Sequence, residues 1–189
     1  MKQVIHIFGA AGSGTSTLAA AFCKRTGFRH LDTDDFYWLP VDPPFTEKRD
    51  PVERVALISA AIDASENAVL SGSVVGWGDP LIPYFTLAVR LFTPTDVRLQ
   101  RLKARESERF GARILPGGDM YEEQQAFYRW AAGYDTGGVE MRSKAMHDAW
   151  SRKLSCPVLV LDGTQPVEAL VDAVLSALQR KEEPDVRQI

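Results

Sequence analysis

Gly9-Ala10-Ala11-Gly12-Ser13-Gly14-Thr15-Ser16-Thr17 decides the reading of this chain. Before it stands Val4-Ile5-His6-Ile7-Phe8, a short, nearly continuous apolar run of the kind found in strands buried on both faces. After it come Leu18 and Phe22, four residues apart with alanines between, a helical pattern that stops at Thr26-Gly27. The nine residues fit the Walker A frame of glycine, four residues, glycine, lysine and Ser/Thr, except that Thr15 replaces the lysine. Gly9, Gly12 and Gly14 permit positive φ, so backbone amides can line a concavity. The following helix N-terminus adds a partial positive charge. The amides of Gly12, Ser13, Gly14 and Thr15 are therefore expected to hold phosphates. Ser16 stands where the frame uses a hydroxyl to ligate magnesium, and Thr17 is expected at the α-phosphate.

The missing lysine matters, because threonine supplies no charge to the β- and γ-phosphates. Cationic contacts to a transferring phosphoryl are worth about 10³–10⁵ in rate. Arg98, Arg101, Arg105 and Arg109 recur at three- and four-residue steps along one predicted helix, and Arg113 follows in a glycine-rich loop. They are the candidate replacements. The competing reading is a solvated helix face, since Glu106 and Glu108 are interspersed.

Working outward, Phe28 to Leu31 reads as a second strand closing in the cluster Asp32-Thr33-Asp34-Asp35. Proline-rich Trp38 to Pro44 reads as a loop. Asp50-Pro51-Val52-Glu53 carries a helix N-cap, with proline at the first helical position, and Val55, Ile58 and Ile62 form that helix's apolar face. Ala68 to Leu70, Leu87 to Phe92 and Val158 to Leu161 read as further strands. Helices are expected over about 95–108, 121–132, 140–154 and 167–178. Strands alternating with helices predict an α/β fold: a five-stranded, mostly parallel sheet in a three-layer α/β/α arrangement. Residues 1–180 would form one domain with a lid near 109–120, and 181–189 a polar tail. Loops at the carboxyl ends of the strands after Phe8, Leu31 and Leu70 then converge on one site.

Composition narrows the function classes. The chain has 189 residues, 45% hydrophobic and 25% charged, with a net charge of -3. Its sequence pI is about 5.7, so no basic field draws nucleic acid. No apolar run approaches the roughly 20 residues that span a bilayer, and the start lacks a signal-peptide pattern, so a cytoplasmic protein is expected. Cys23 and Cys156 lack metal-ligand spacing and read as reduced thiols. His6, His30 and His147 have no neighbours suggesting a metal site or triad and read as structural.

Together these segments resemble the P-loop small-molecule kinases, the nucleoside monophosphate kinase and shikimate/gluconate kinase group, and the adenylate-kinase-like or FlaR-like bacterial proteins. The resemblance implies a P-loop NTPase fold using ATP and Mg²⁺ to phosphorylate a small-molecule or nucleotide acceptor. In that group R-x-x-x-R, here Arg101 and Arg105, stacks on adenine and meets phosphate, and Arg109 begins the lid. A loop shaped like Gly163-Thr164-Gln165-Pro166 contacts adenine. Asp32-Thr33-Asp34 matches the D-x-D of shikimate-type kinases, implying that Asp32 holds the metal through water and Asp34 orients or deprotonates the acceptor hydroxyl. The same residues also suit a helix cap or Asx-turn. Gly72 matches the segment whose amides approach the acceptor, and Trp38 and Trp77 are candidates for an acceptor wall or for core anchors. Arg129 and Met141-Arg142 are candidates to close on a substrate anion, but read better as exposed structural arginines. The main alternative is a nucleotide-binding module that transfers nothing because the lysine is absent. A DNA-associated role rests on the FlaR-like resemblance alone, and the acidic pI opposes it.

Overall fold

The computed structural model describes residues 1–182. Positions 183–189 of the expected tail lie outside them. Five strands, β1 (Val4–Gly9), β2 (Arg29–Asp32), β3 (Ala68–Ser71), β4 (Leu87–Phe92) and β5 (Val158–Asp162), form one sheet in the order β2-β3-β1-β4-β5. Every pairing is parallel, with β1 in the centre between β3 and β4. All five carboxyl ends therefore open on the same edge. The chain crosses from one side of β1 to the other after β3, the kind of switch point where α/β sheets bind ligands.

Strand alternation sorts the core into two layers. Ile5 and Ile7 join Leu18, Phe22, Val89, Val171 and Val174 under helices α1 (Thr15–Thr26) and α7 (Val167–Glu182). Phe8, Leu31, Leu70, Ile58, Ile62 and Trp150 pack on the other face under α3 (Pro51–Asp63) and α6 (Lys144–Ser151). Truncating a fully buried side chain such as Phe22 costs about 3–5 kcal/mol. His6 lies in this second layer, stacked between Phe8 and Phe85, and burial lowers its pKa to about 4. No helix of the described residues is long and apolar enough to cross a membrane.

Helix ends follow local chemistry. Asp50 caps α3 by accepting from the amides of Val52 and Glu53, with Pro51 at the first turn. Glu53 pairs with Arg49 at 2.6 Å. The helix expected over 140–154 is shorter, because Ser143 caps it by accepting from the Met146 amide while Glu140 accepts from Gly138. Asp32-Thr33-Asp34 is more than the end of a strand: Asp32 caps a further short helix, α2 (Thr33–Tyr37), by accepting from the Asp34 amide at 3.1 Å.

The largest departure from expectation is in α4 (Thr95–Phe110). Its buried positions are Arg98, Leu102 and Glu106, one residue per turn, while Val97 and Leu99 are only half-buried. Arg98 is 0% exposed, so it is no part of a solvated stripe and does not face the cleft as a free cation. After α4 the chain makes a 3-10 turn over Gly111–Ile114, then α5 (Tyr121–Ala132) and a second 3-10 turn over Gly133–Asp135.

Candidate active site

The phosphate loop leaves β1 at Gly9 and enters α1 at Thr15, with Gly14 as a left-handed N-cap (φ 99°). Gly12 is left-handed as well (φ 79°), and a Cβ there would lie 2.6 Å from the Arg98 carbonyl oxygen. Glycine is required on both counts. The Ser13 amide donates to Ala10 O at 3.1 Å, closing the loop on itself. Among the described residues the Gly12 and Gly14 amides donate to no protein group. Ser13 Oγ is buried without a partner.

Beside the loop, Arg101 donates to the Gly163 carbonyl at 3.0 Å. Both border a cavity of about 220 Å³ with Ser13, Gly14, Thr17 and Gln165. The Gly163 amide donates back to Phe92 O at 2.7 Å, fixing the turn after β5 against the end of β4.

Across from the cavity, Ser16 donates to Asp32 Oδ2 at 2.6 Å. Ser71 reaches the same oxygen at 3.2 Å, and His30 Nε2 lies 2.9 Å from Ser71 Oγ. Asp32 thus does two jobs: one oxygen caps α2, the other gathers hydroxyls at the mouth of the phosphate loop. His30, read as structural from the sequence, backs this cluster. Gly72, also left-handed (φ 101°), lies against Thr33, where a Cβ would meet Oγ1 at 1.9 Å, so the turn after β3 packs directly on α2.

Asp34 stands in the first turn of α2. Part of its surface is open, yet burial pushes its carboxyl above the ordinary carboxylate range, and Asp32 adds to the shift. The charges of Arg142, Arg105 and Arg109 pull it back. Arg142, on the loop between α5 and α6, is therefore not the exposed structural arginine expected. It is half-buried, stacks on Trp130 at 4.5 Å, and burial lowers its pKa while Asp34 opposes the shift. Deeper in, Arg54 of α3 is 4% exposed and lies over the Tyr37 ring at 3.7 Å, with Trp77 at 5.4 Å. Its Nε has no hydrogen-bond partner. Trp38 stacks edge-on against Tyr37 and Phe45. Both tryptophans are half-buried, between the two expected roles. Arg54 carries no signal in the sequence, where it looks like any charged residue in the first turn of a helix.

The other arginines are committed elsewhere. Arg105 pairs with buried Glu106. Arg109 lies over Phe45 and Phe110. Arg113 bridges Asp119 at 2.6 Å and Asp42 at 2.8 Å, tying the lid to the proline-rich loop. Behind these elements, His147 holds Ser73 Oγ at 2.8 Å and the Tyr134 hydroxyl at 2.7 Å. Burial and nearby Arg142 lower its pKa to about 3.

Sheet order, phosphate loop and flanking helices define the fold of the P-loop small-molecule kinases. A shikimate kinase from Acinetobacter baumannii in complex with shikimate superposes with a TM-score of 0.59 at 12% identity, over 97% of each chain. One from Bacteroides thetaiotaomicron does so at 0.58 and 14%, over 94% of this chain and 98% of that one. Deoxyadenosine kinase from M. mycoides gives 0.52 at 14%, over 95% of this chain and 100% of its own. No protein-family model matches the chain. It is 48% identical over 178 residues to the uncharacterized protein YqaC of Bacillus subtilis (strain 168), covering 94% of this chain and 98% of that protein, and it belongs to the YqaC family.

Proposed function

We propose that this chain is an ATP-dependent kinase that transfers the γ-phosphoryl group to a hydroxyl on a small, negatively charged acceptor. One observation carries the reading: Ser16, at the first turn of α1, and Asp32, at the end of β2, share a 2.6 Å hydrogen bond beside Asp34. The contact supports a reading in which Ser16 and Asp32 serve the metal and Asp34 serves as base, side by side at the mouth of the phosphate loop.

The residues fit Mg²⁺. Among the described residues no cluster of three or more His, Cys, Asp or Glu side chains forms a cage. A magnesium ion held by one hydroxyl, one carboxylate, waters and phosphate oxygens requires none. When bound, the metal would neutralise charge developing on the phosphates. The free amides of Gly12 and Gly14 and the N-terminus of α1 bind the phosphate chain, with Thr15 and Thr17 at its flank. Arg101 and Gly163 hold the base. Asp34 accepts the proton of the acceptor hydroxyl as its oxygen forms a bond to the γ-phosphorus, the bond to the bridging oxygen breaks, and ADP leaves with the electron pair. The raised pKa of Asp34 strengthens it as a base. Arg105 and Arg109 close from the lid and exclude water.

The acceptor half has the charge for an anion. Arg54 and Arg142 lack a carboxylate in ion-pair contact among the described residues, and both sit against aromatic rings. A buried guanidinium without a counter-charge is costly, and a carboxylate or phosphate on the acceptor would supply one.

The second reading, a binding module without turnover, is favoured by Thr15 alone. Calorimetry with Mg-ATP, followed by single-turnover ADP release with hydroxy acids, sugar phosphates and nucleotides as acceptors, separates the two. Binding with no acceptor-dependent ADP release leaves only the module. No heat with any nucleoside triphosphate removes both.

A further inference from the structure

The phosphate loop lacks a cation in front, yet one is buried directly behind it. Arg98 makes five hydrogen bonds: Nε to Thr93 O at 3.1 Å, Nη1 to Ala11 O at 3.3 Å and to Ala131 O at 3.2 Å, and Nη2 to Thr95 Oγ1 at 2.8 Å and to Asp135 Oδ2 at 3.1 Å. We propose that Arg98 is a positioning residue that offsets the absent loop lysine from the rear, by holding and polarising the Ala11–Gly12 peptide whose N–H faces the phosphates.

The geometry rests on the planarity of that peptide. In a trans peptide the carbonyl oxygen and the amide hydrogen point in opposite directions. With Ala11 O turned toward the guanidinium, the Gly12 N–H points away from it, to the open side of the loop, where it meets no protein acceptor. A hydrogen bond from a cation to a peptide oxygen draws electron density from the N–H and makes it a stronger donor. The contact is also tight, since a Cβ on Gly12 would collide with the Arg98 carbonyl.

The two charges under the loop are unequally buried, and the positive one lies nearer the loop. The only carboxylate paired with Arg98 among the described residues is Asp135, whose side chain is 44% exposed against 0% for Arg98. Water therefore screens the negative partner and not the positive one. The remaining arginines of α4 have no such position: Arg101 is spent on Gly163 O, Arg105 on Glu106, and Arg109 on aromatic rings. A purely structural Arg98 would pin the loop to α5 and to the turn over Gly133–Asp135, with no preference for phosphate charge. The two roles predict different dependence on phosphate-chain length.

The proposal rests on the nucleotide reading of the loop, and calorimetry with ATP, ADP and AMP in the presence of Mg²⁺ tests it. Asp135→Asn keeps an acceptor for Arg98 and Thr95 while deleting the counter-charge. It should tighten ATP roughly threefold and leave AMP unchanged. Arg98→Met should weaken ATP about tenfold or more, with a smaller loss for AMP, and Arg98→Lys should fall between. Adding Thr15→Lys should restore most of the loss in Arg98→Met and gain less in the otherwise wild-type chain. If Arg98→Met does not fold, Asp135→Asn decides by itself. An unchanged ATP affinity in Asp135→Asn, or the same change for ATP and AMP, overturns the proposal. Failure of the wild-type chain to bind ATP at all would instead overturn the nucleotide reading beneath it.

Discussion

The two halves of the cleft are built from different material. The half proposed for the nucleotide is backbone: consecutive residues from Gly9 to Thr17, with a single turn at Gly163 packed beside them. The half proposed for the acceptor is side chain: Asp34 from α2, Arg54 from α3, Arg105 and Arg109 from α4, and Arg142 from the loop before α6. The first half needs only a strand, a turn and a helix to exist. The second exists only when four distant segments have packed, so it should be the more sensitive to tertiary change.

Replacing Asp34 tests that division most severely. Asp34→Asn should lower transfer about 10²–10⁴-fold while nucleotide affinity holds, measured by single turnover and calorimetry. The same variant should melt higher at neutral pH. The raised pKa means that ionised Asp34 opposes folding once pH exceeds the ordinary carboxylate value, and asparagine removes that cost. Loss of nucleotide binding in this variant would break the separation between the halves.

On the backbone side, Gly12→Ala forces a left-handed residue against the Arg98 carbonyl and should cost about 3 kcal/mol in urea unfolding, with ATP affinity lost in whatever remains folded. A stable, ATP-binding Gly12→Ala protein would show that the loop has freedom that its geometry denies.

The core layer under α3 and α6 carries a pH signature. His147 and His6 have folded pKa values of about 3 and about 4, below the 6.5 of a free imidazole, so the unfolded chain takes up protons first. Stability is full above about pH 6.5 and falls on acidification. By pH 5 the loss is on the order of 2 kcal/mol per histidine, read as a falling urea midpoint. A midpoint that stays level from pH 7 to 5 would contradict their burial as neutral rings.

The smallest effect belongs to the lid. Arg113→Ala breaks exposed ion pairs to Asp42 and Asp119, so melting should hardly move, within about 0.5 kcal/mol. Acceptor-independent ATP hydrolysis should rise as water enters. No rise would place the lid's closing contacts elsewhere.

Legibility in the sequence follows the same boundary. The strands, their order of use and the phosphate loop depend on short-range patterns, apolar runs closed by glycine, and the parallel sheet follows from their alternation with helices. The cap reading of Asp32 is met by one oxygen, which accepts from the Asp34 amide, while the other accepts from Ser16. Arg98 was misread because periodicity alone cannot tell which side of α4 faces the protein. A buried arginine is rare enough that Val97 and Leu99 look like the better core residues. The burial of Arg142 and Arg54 is hidden for a different reason. It comes from packing on the rings of Trp130 and Tyr37, contacts that no local spacing encodes.

The clasp formed by Arg113, Asp42 and Asp119 stands in open water, with side-chain exposures of 36%, 77% and 54%. Dissolved ions weaken exposed attractions of this kind and leave buried contacts nearly untouched. Ionic strength thus becomes a throttle on this molecule, loosening the tie between the turn after α4 and the proline-rich loop while the sheet beneath keeps its packing.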